Sequence, residues 1–222
     1  MGRLQIPGHA RPRPGEVTLD EIRAVMGECG LCPLAQTRGG IVFGRGNPRA
    51  RVMLVGEAPS ASDEASGEAL SGASGRVLAE AMAAAGLDAD DVYVTNVTKC
   101  RVPANRPPAP GEIEACAPYL REQLRSVWPD VIVCLGNVAA QFVLRCDNGV
   151  TRLRGRMHEA GHFRVAATFH PAATIYNKDW APLLVEDLRM VADWLAAHPA
   201  GEGDGAAGRD AQDARDAEAG RG

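Results

Sequence analysis

Short apolar runs alternate with helical periodicities along most of the chain. Val17, Leu19, Ile22 and Val25 recur at helical spacing, and Thr18 is a side-chain acceptor suited to a helix N-terminus, so a helix is predicted over 17–28. Arg51-Val-Met-Leu-Val55 is an apolar run closed by Gly56 and reads as a buried strand. Three further strands are predicted at Val92–Thr95, at Val131–Leu135 before Gly136, and at Arg164–Phe169. Between and after them lie helical segments at Gly75–Ala85, Pro110–Val127 with proline in its first turn, Asn137–Leu144 and Trp180–Ala197.

Strands without polar alternation must be covered on both faces. The pattern therefore predicts an α/β fold, a three-layer αβα sandwich on a central, mostly parallel four-stranded sheet. Such sheets bind ligands at the carboxyl ends of their strands. Four post-strand segments are thereby singled out: Gly56-Glu-Ala-Pro59, Asn96 to Asn105, Gly136-Asn137 and His170-Pro171.

The ends of the chain are different. Residues 1–16 are polar and proline-rich and read as a flexible arm, with Arg3, Arg11 and Arg13 free to meet an anion. Residues 199–222 hold no apolar side chain larger than alanine and read as a disordered tail, which leaves 17–198 as the one folded domain. No apolar run approaches the ~20 residues of a membrane span, the N-terminus lacks a signal-peptide stretch, and Gln5 stands where an acylation signal wants Ser or Thr. A cytoplasmic, intracellular protein is expected. The net charge of -4 excludes a polycation, so contact with nucleic acid would need a local basic face.

Six cysteines in an intracellular chain suggest metal ligands or buried thiols before disulfides. Cys29 and Cys32 form a C-x2-C hook; 67 residues separate Cys32 from Cys100, and 15 separate Cys100 from Cys116. Four thiolates complete either a zinc site or an iron–sulfur site, and spacing does not choose between them. Cys134 lies inside an apolar strand and is expected in the core; Cys146 is expected to be an ordinary thiol.

Several segments together resemble the family-4, iron–sulfur uracil-DNA glycosylases. They are the cysteine quartet, Gly56-Glu-Ala-Pro59, the stretch Thr95-Asn-Val-Thr-Lys-Cys100-Arg-Val-Pro-Ala-Asn-Arg-Pro-Pro108, Leu153-Arg-Gly155 and His170-Pro-Ala-Ala173. The likeness runs from about Cys29 to Leu195. It implies a [4Fe–4S] cluster of structural role on Cys29, Cys32, Cys100 and Cys116. It also implies a monofunctional enzyme, a monomer, that releases uracil from single- or double-stranded DNA in base excision repair.

The resemblance makes His170 the donor to uracil O2, where negative charge grows as the glycosidic bond breaks; such a donor is typically worth ~3–4 kcal/mol. An amide at Asn96 suits the O4 and N3–H edge of uracil and mismatches the amine of cytosine. Asn105 falls near the same loop. Glu57 is a candidate for orienting water or for stabilising positive sugar charge, Asp63 is a second water positioner, and Ala58 offers its backbone to the base. For DNA, Ser71 and Ser74 lead into a helix where backbone amides can reach phosphate. Lys99, Arg101, Arg106, Arg152, Arg154 and Arg156 are the candidate basic face, and Ile175 with Tyr176 a candidate wedge.

The chain departs from the family at Ala69-Leu70, where Pro-Phe is usual, and at Ser60, where Gly is usual. The phenylalanine stacks on the flipped base, and such stacking is worth ~1–3 kcal/mol. Leu70 keeps apolar contact without the flat face. That leaves open a non-catalytic or altered-specificity iron–sulfur relative that binds DNA, and the quartet leaves open a zinc-stabilised hydrolase.

Overall fold

A computed structural model describes residues 17–199. Residues 1–16 and 200–222, on which the expected arm and most of the expected tail fall, lie outside the described residues. The chain divides into two compact units, Met1–Ala192 and Asp193–Gly222. The described part of the second unit carries the last helix to its end at Ala197.

The first unit is built in chain order from α1 (Leu19–Met26), β1 (Arg45–Gly46), β2 (Val52–Gly56), α2 (Ala61–Ser66), α3 (Gly72–Ala85), β3 (Val92–Asn96), α4 (Pro110–Val127), β4 (Val131–Leu135), α5 (Asn137–Leu144), α6 (Val150–Leu153), β5 (Met157–Ala160), β6 (Phe163–Thr168), α7 (Pro171–Tyr176) and the larger part of α8 (Trp180–Ala197). The sheet runs β1-β3-β2-β4-β6-β5. The four strands expected from the sequence form its parallel centre, with Gly56 opposite Asn96 and Leu135 opposite Thr168. Helices cover both faces.

The sheet has six strands rather than four, because a short antiparallel strand closes each edge. β1 has two residues, both exposed, and β5 is largely half-buried, so neither carries the apolar run that marks a strand buried on both faces. Every residue of β2, β3 and β4 is buried, which is why those three were plain in the sequence. Thr18 caps α1 through the amide of Glu21, whose carboxylate returns to the Thr18 amide.

The chain passes from β2 to β3 on one side and then to β4 on the other. The order of strands therefore reverses between β2 and β4. A crevice opens at such a reversal, at the carboxyl ends of the strands, and its floor here is made of Gly56 and Gly136. Among the described residues no helix is long and apolar enough to cross a membrane.

Candidate active site

Two glycines let the crevice exist. A methyl group on Gly56 would lie 2.3 Å from Asn96 Oδ1 and 3.6 Å from His170 Nε2, so the amide and the imidazole converge over this one backbone position. Gly136 has φ +91°, and a methyl group there would meet His170 Cβ at 3.3 Å. Its amide donates to the Thr168 carbonyl at 2.8 Å, holding the end of β4 against the strand that leads to His170. Beyond β2 and β3 the pairing continues: Val97 N donates to Gly56 O and Thr98 N to Glu57 O, at 2.9 and 3.1 Å.

Asn96 is fully buried, yet among the described residues neither its Oδ1 nor its Nδ2 has a hydrogen-bond partner. Buried amides are nearly always paired, because an unpaired one keeps its desolvation cost. An orphaned donor and acceptor on one side chain, next to a histidine, mark a place for a ligand with the complementary pair.

His170 ends the segment after β6 and caps α7. Its Nδ1 accepts from the Ala172 amide at 3.1 Å. The ring proton therefore sits on Nε2, the nitrogen that faces Asn96 across Gly56. Burial pushes the imidazole down to about 4, against the opposing charge of Asp63. At neutral pH this is an uncharged N–H donor.

Glu57 is half-buried, its carboxylate makes no hydrogen bond among the described residues, and burial raises its pKa. Asp63 is committed elsewhere. Its Oδ1 accepts from the Ser71 amide and hydroxyl at 2.6 and 2.8 Å, and its Oδ2 accepts from the Ser60 amide at 2.9 Å. The serine at position 60 thereby caps α2, and Asp63 ties that cap to the start of α3. Ala58 packs against Leu34, Cys100 and Val102 and so joins the first post-strand segment to the cysteines. Leu70 is buried with φ +49°, and Arg45 donates to both the Ala69 and Leu70 carbonyls at 2.8 and 3.2 Å. Asn105 is exposed at φ +51°, and among the described residues its side chain makes no hydrogen bond.

Cys29, Cys32, Cys100 and Cys116 line one pocket, with Met26, Leu31, Ile41 and Tyr119 among its walls. Arg38 and Lys99 border it, and burial lowers the Lys99 amine to about 7 while Cys116 opposes the fall. Arg38 Nη1 donates to Cys100 Sγ at 3.6 Å and to the Cys29 carbonyl at 2.6 Å, and the Lys99 amide donates to Cys116 Sγ at 3.3 Å. Burial raises both buried thiols, Cys116 to about 11, while Arg38 and Lys99 act in the opposite sense. Among the described residues no three or more His, Cys, Asp or Glu side chains converge as ligands of one metal ion. Cys134 is wholly buried in β4, where the core was expected to take it.

The supposed basic face is thinner than the sequence suggested. Lys99 is 1% exposed, because it points into the protein from the end of β3. Arg154 pairs bidentately with buried Asp187, at 3.0 and 3.1 Å, donates to the Leu183 carbonyl, and lies 5.9 Å above the Phe169 ring. Its charge is spent inside the fold. Arg106 grips Glu112 through two hydrogen bonds and stiffens the loop before α4. Arg101 stands 3.6 Å from Glu64 and keeps a third of its side chain exposed. Ser74, Arg152, Arg156, Ile175 and Tyr176 are partly or fully exposed, Tyr176 at 91%. Ser71 is turned to Asp63. Sequence reasoning pointed to Gly136 through its place after a strand but missed Arg38, Arg45 and Asp187, which carry no signal of their own in the sequence.

Residues 43–191 match the family model of the uracil DNA glycosylase superfamily. The chain is 38% identical over 184 residues to the type-4 uracil-DNA glycosylase of Archaeoglobus fulgidus, covering 79% of this chain and 92% of that one. It is 33% identical to the type-4 uracil-DNA glycosylase of Thermotoga maritima, over 80% of this chain and 97% of the relative. A type-5 uracil-DNA glycosylase of Pyrobaculum aerophilum is 36% identical over 68% of this chain and 74% of its own length.

Proposed function

This chain belongs to the uracil-DNA glycosylase superfamily, with type-4 enzymes among its relatives, and from that premise we propose that it hydrolyses the N-glycosidic bond of deoxyuridine in DNA. The products are free uracil and an abasic site. The observation that carries the reading is the unpartnered, fully buried Asn96 amide facing the Nε2–H of His170.

The substrate base reaches the crevice only if it leaves the stack, at a cost of a few kcal/mol. Asn96 Nδ2 then donates to uracil O4 and Oδ1 accepts from N3–H. Cytosine presents the reverse at that edge and would leave both amide atoms unsatisfied. His170 donates from Nε2 to O2, where charge accumulates as the bond to the sugar stretches. Because the imidazole is already neutral and already aimed, it stabilises the leaving anion without prior rearrangement. Glu57, free of partners, orients the attacking water and offsets positive charge on the sugar. Asp63 serves as the clamp on the Ser60 and Ser71 loops and as the negative charge facing His170. Leu70 walls the pocket with an apolar side chain in place of an aromatic one. Arg101, Arg152 and Arg156 with Ser74 supply DNA contacts, Asn105 lies on the same loop system, and Ile175 with Tyr176 enters the duplex.

The four cysteines suit a [4Fe–4S] cluster. The donors are all sulfur, the cavity is walled by Met26, Leu31 and Ile41, and Arg38, joined by Lys99 when that amine is protonated, offsets the charge of four thiolates. N–H donors aimed at Cys100 and Cys116 are the second layer such clusters use. When bound, the group supplies a rigid tie between the hook after α1, the loop after β3 and α4, with no electron transfer needed for hydrolysis.

The test is incubation with a uracil-containing oligonucleotide followed by alkaline cleavage. Strand scission at the uracil, lost on His170→Ala, is the expected result. Intact DNA at high protein concentration, in protein with a broad absorption near 400 nm, would overturn the reading. Protein colourless at that wavelength but active would overturn the cluster and leave the hydrolysis standing.

A further inference from the structure

Lys99 is among the largest fully buried side chains of the described residues, and both its amine and its backbone polar groups have partners. Its Nζ donates to Thr95 Oγ1 and to the Asn96 carbonyl, both at 2.6 Å. Its backbone N–H donates to Cys116 Sγ at 3.3 Å, and its carbonyl accepts from the Val42 amide at 2.8 Å. The network goes further. The Thr95 hydroxyl donates to the Phe43 carbonyl at 2.9 Å, and fully buried Gln123 donates to that same carbonyl at 2.9 Å.

Burial opposes the charge on the Lys99 amine, so this group is costly to place here, and an apolar side chain of similar length would fill the space at less cost. The expense falls at one informative place. Among the described residues nothing hydrogen-bonds to the Asn96 side-chain amide to hold it. Its position depends on its backbone, and the Asn96 carbonyl is what Lys99 grips. The same residue touches the cysteine site through its amide. We propose that Lys99 is a positioning residue, fixing Asn96 for base recognition and referring that position to the cysteine site. This rests on the reading of Asn96 as the uracil-binding amide.

The experiment is a double-mutant cycle in the full chain. Lys99→Met is made alone and together with Asn96→Ala, and three quantities are measured: the dissociation constant of free uracil, the split between kcat and KM on a uracil oligonucleotide, and absorption near 400 nm. Lys99→Met is expected to keep the absorption, weaken uracil binding by roughly tenfold to a hundredfold, and raise KM more than it lowers kcat. In the Asn96→Ala background it is expected to add nothing. Unchanged uracil binding, an equal loss in both backgrounds, or loss of the absorption would each overturn the proposal. If Lys99→Met does not fold, Thr95→Val removes one of the two acceptors at Nζ with little change in shape; a smaller weakening, absent in the Asn96→Ala background, is then expected, and no weakening overturns the proposal. Should Asn96→Ala alone leave uracil binding and release intact, the reading of Asn96 itself falls. A costly Asn96→Ala with a silent Lys99→Met removes only the role of Lys99.

Discussion

The backbone amide of Ala172 donates to Nδ1 of His170 at 3.1 Å, and this single bond decides what the imidazole can do. With Nδ1 an acceptor, the proton is on Nε2, and protonating the ring would break the bond to Ala172. Burial acts in the same direction, lowering the imidazole from 6.5 to about 4. In an NMR titration the His170 ring is expected to stay neutral through pH 6, while an exposed histidine charges. The unfolded chain then binds more protons than the native one between about pH 6.5 and 4. Stability contributed by this group therefore falls as pH drops through that window and is regained as it rises. A His170 resonance titrating near 6.5 would sink the neutral-donor assignment.

Glu57 is displaced the other way: burial raises its carboxyl above 4.5, and no hydrogen bond opposes the rise. A base that works as carboxylate loses function as it is protonated. The acid limb of uracil release is thus expected above the ordinary glutamate value, and Glu57→Gln is expected to lower the rate by roughly 100-fold or more and to flatten that limb. An acid limb that persists in Glu57→Gln with a near-normal rate would assign the water to another group.

Gly56 is intolerant of a side chain for a reason that concerns the site and not the strand. Its neighbours in β2 are valine, methionine and leucine, so strand pairing itself accepts a β-carbon. A methyl group at this residue meets Asn96 Oδ1 at 2.3 Å. Displacing the amide by about 1 Å is expected to cost on the order of 100-fold in uracil release. Gly56→Ala should remain folded, by its circular dichroism and melting, while losing activity. Full activity would mean that Asn96 does not read the base from where it stands.

The parallel core was legible because β2, β3, β4 and β6 are short runs of branched apolar residues stopped by polar or glycine signals. The edge strands were not, since Arg45-Gly46 and Met157–Ala160 have no such run and exist only by pairing. The six strands and the short helices α2, α6 and α7 thus add to the expected layout without altering it. At the site, Asn96 and His170 were singled out because each follows a predicted apolar run; Asn96 in fact ends β3, and His170 stands two residues past β6. Lys99 and Arg154 were misread as surface cations because a basic residue in sequence carries no mark of its partner: Thr95 lies next to Lys99 only through the backbone's turn, and Asp187 is brought to Arg154 from α8. Asp63 was offered as a free carboxylate for the same reason, its partners Ser60 and Ser71 being on two separate loops. The departure at Leu70 left room for a non-catalytic relative. The similarity over 92% of an Archaeoglobus fulgidus glycosylase favours an enzyme instead.

Arg154 separates a structural cation from a DNA-binding one. Asp187 is 2% exposed, and burial raises its carboxyl while Thr168, Arg154 and the Gly155 amide oppose that rise. Removing the guanidinium leaves this carboxylate buried with too few donors, a change that typically costs about 3–5 kcal/mol. The loss also reaches the site, because Arg154 lies over Phe169, which stacks at 4.4 Å on Trp180 and precedes His170 in the chain. Arg154→Ala is therefore expected to lower the melting temperature markedly. Exposed Arg156 offers the contrast: Arg156→Ala should leave melting nearly unchanged and reduce the slope of log affinity for DNA against log salt by about one. The two measurements on the two variants assign the roles. An unchanged melting point for Arg154→Ala, with the reduced salt slope appearing there instead, would return Arg154 to the DNA-facing surface.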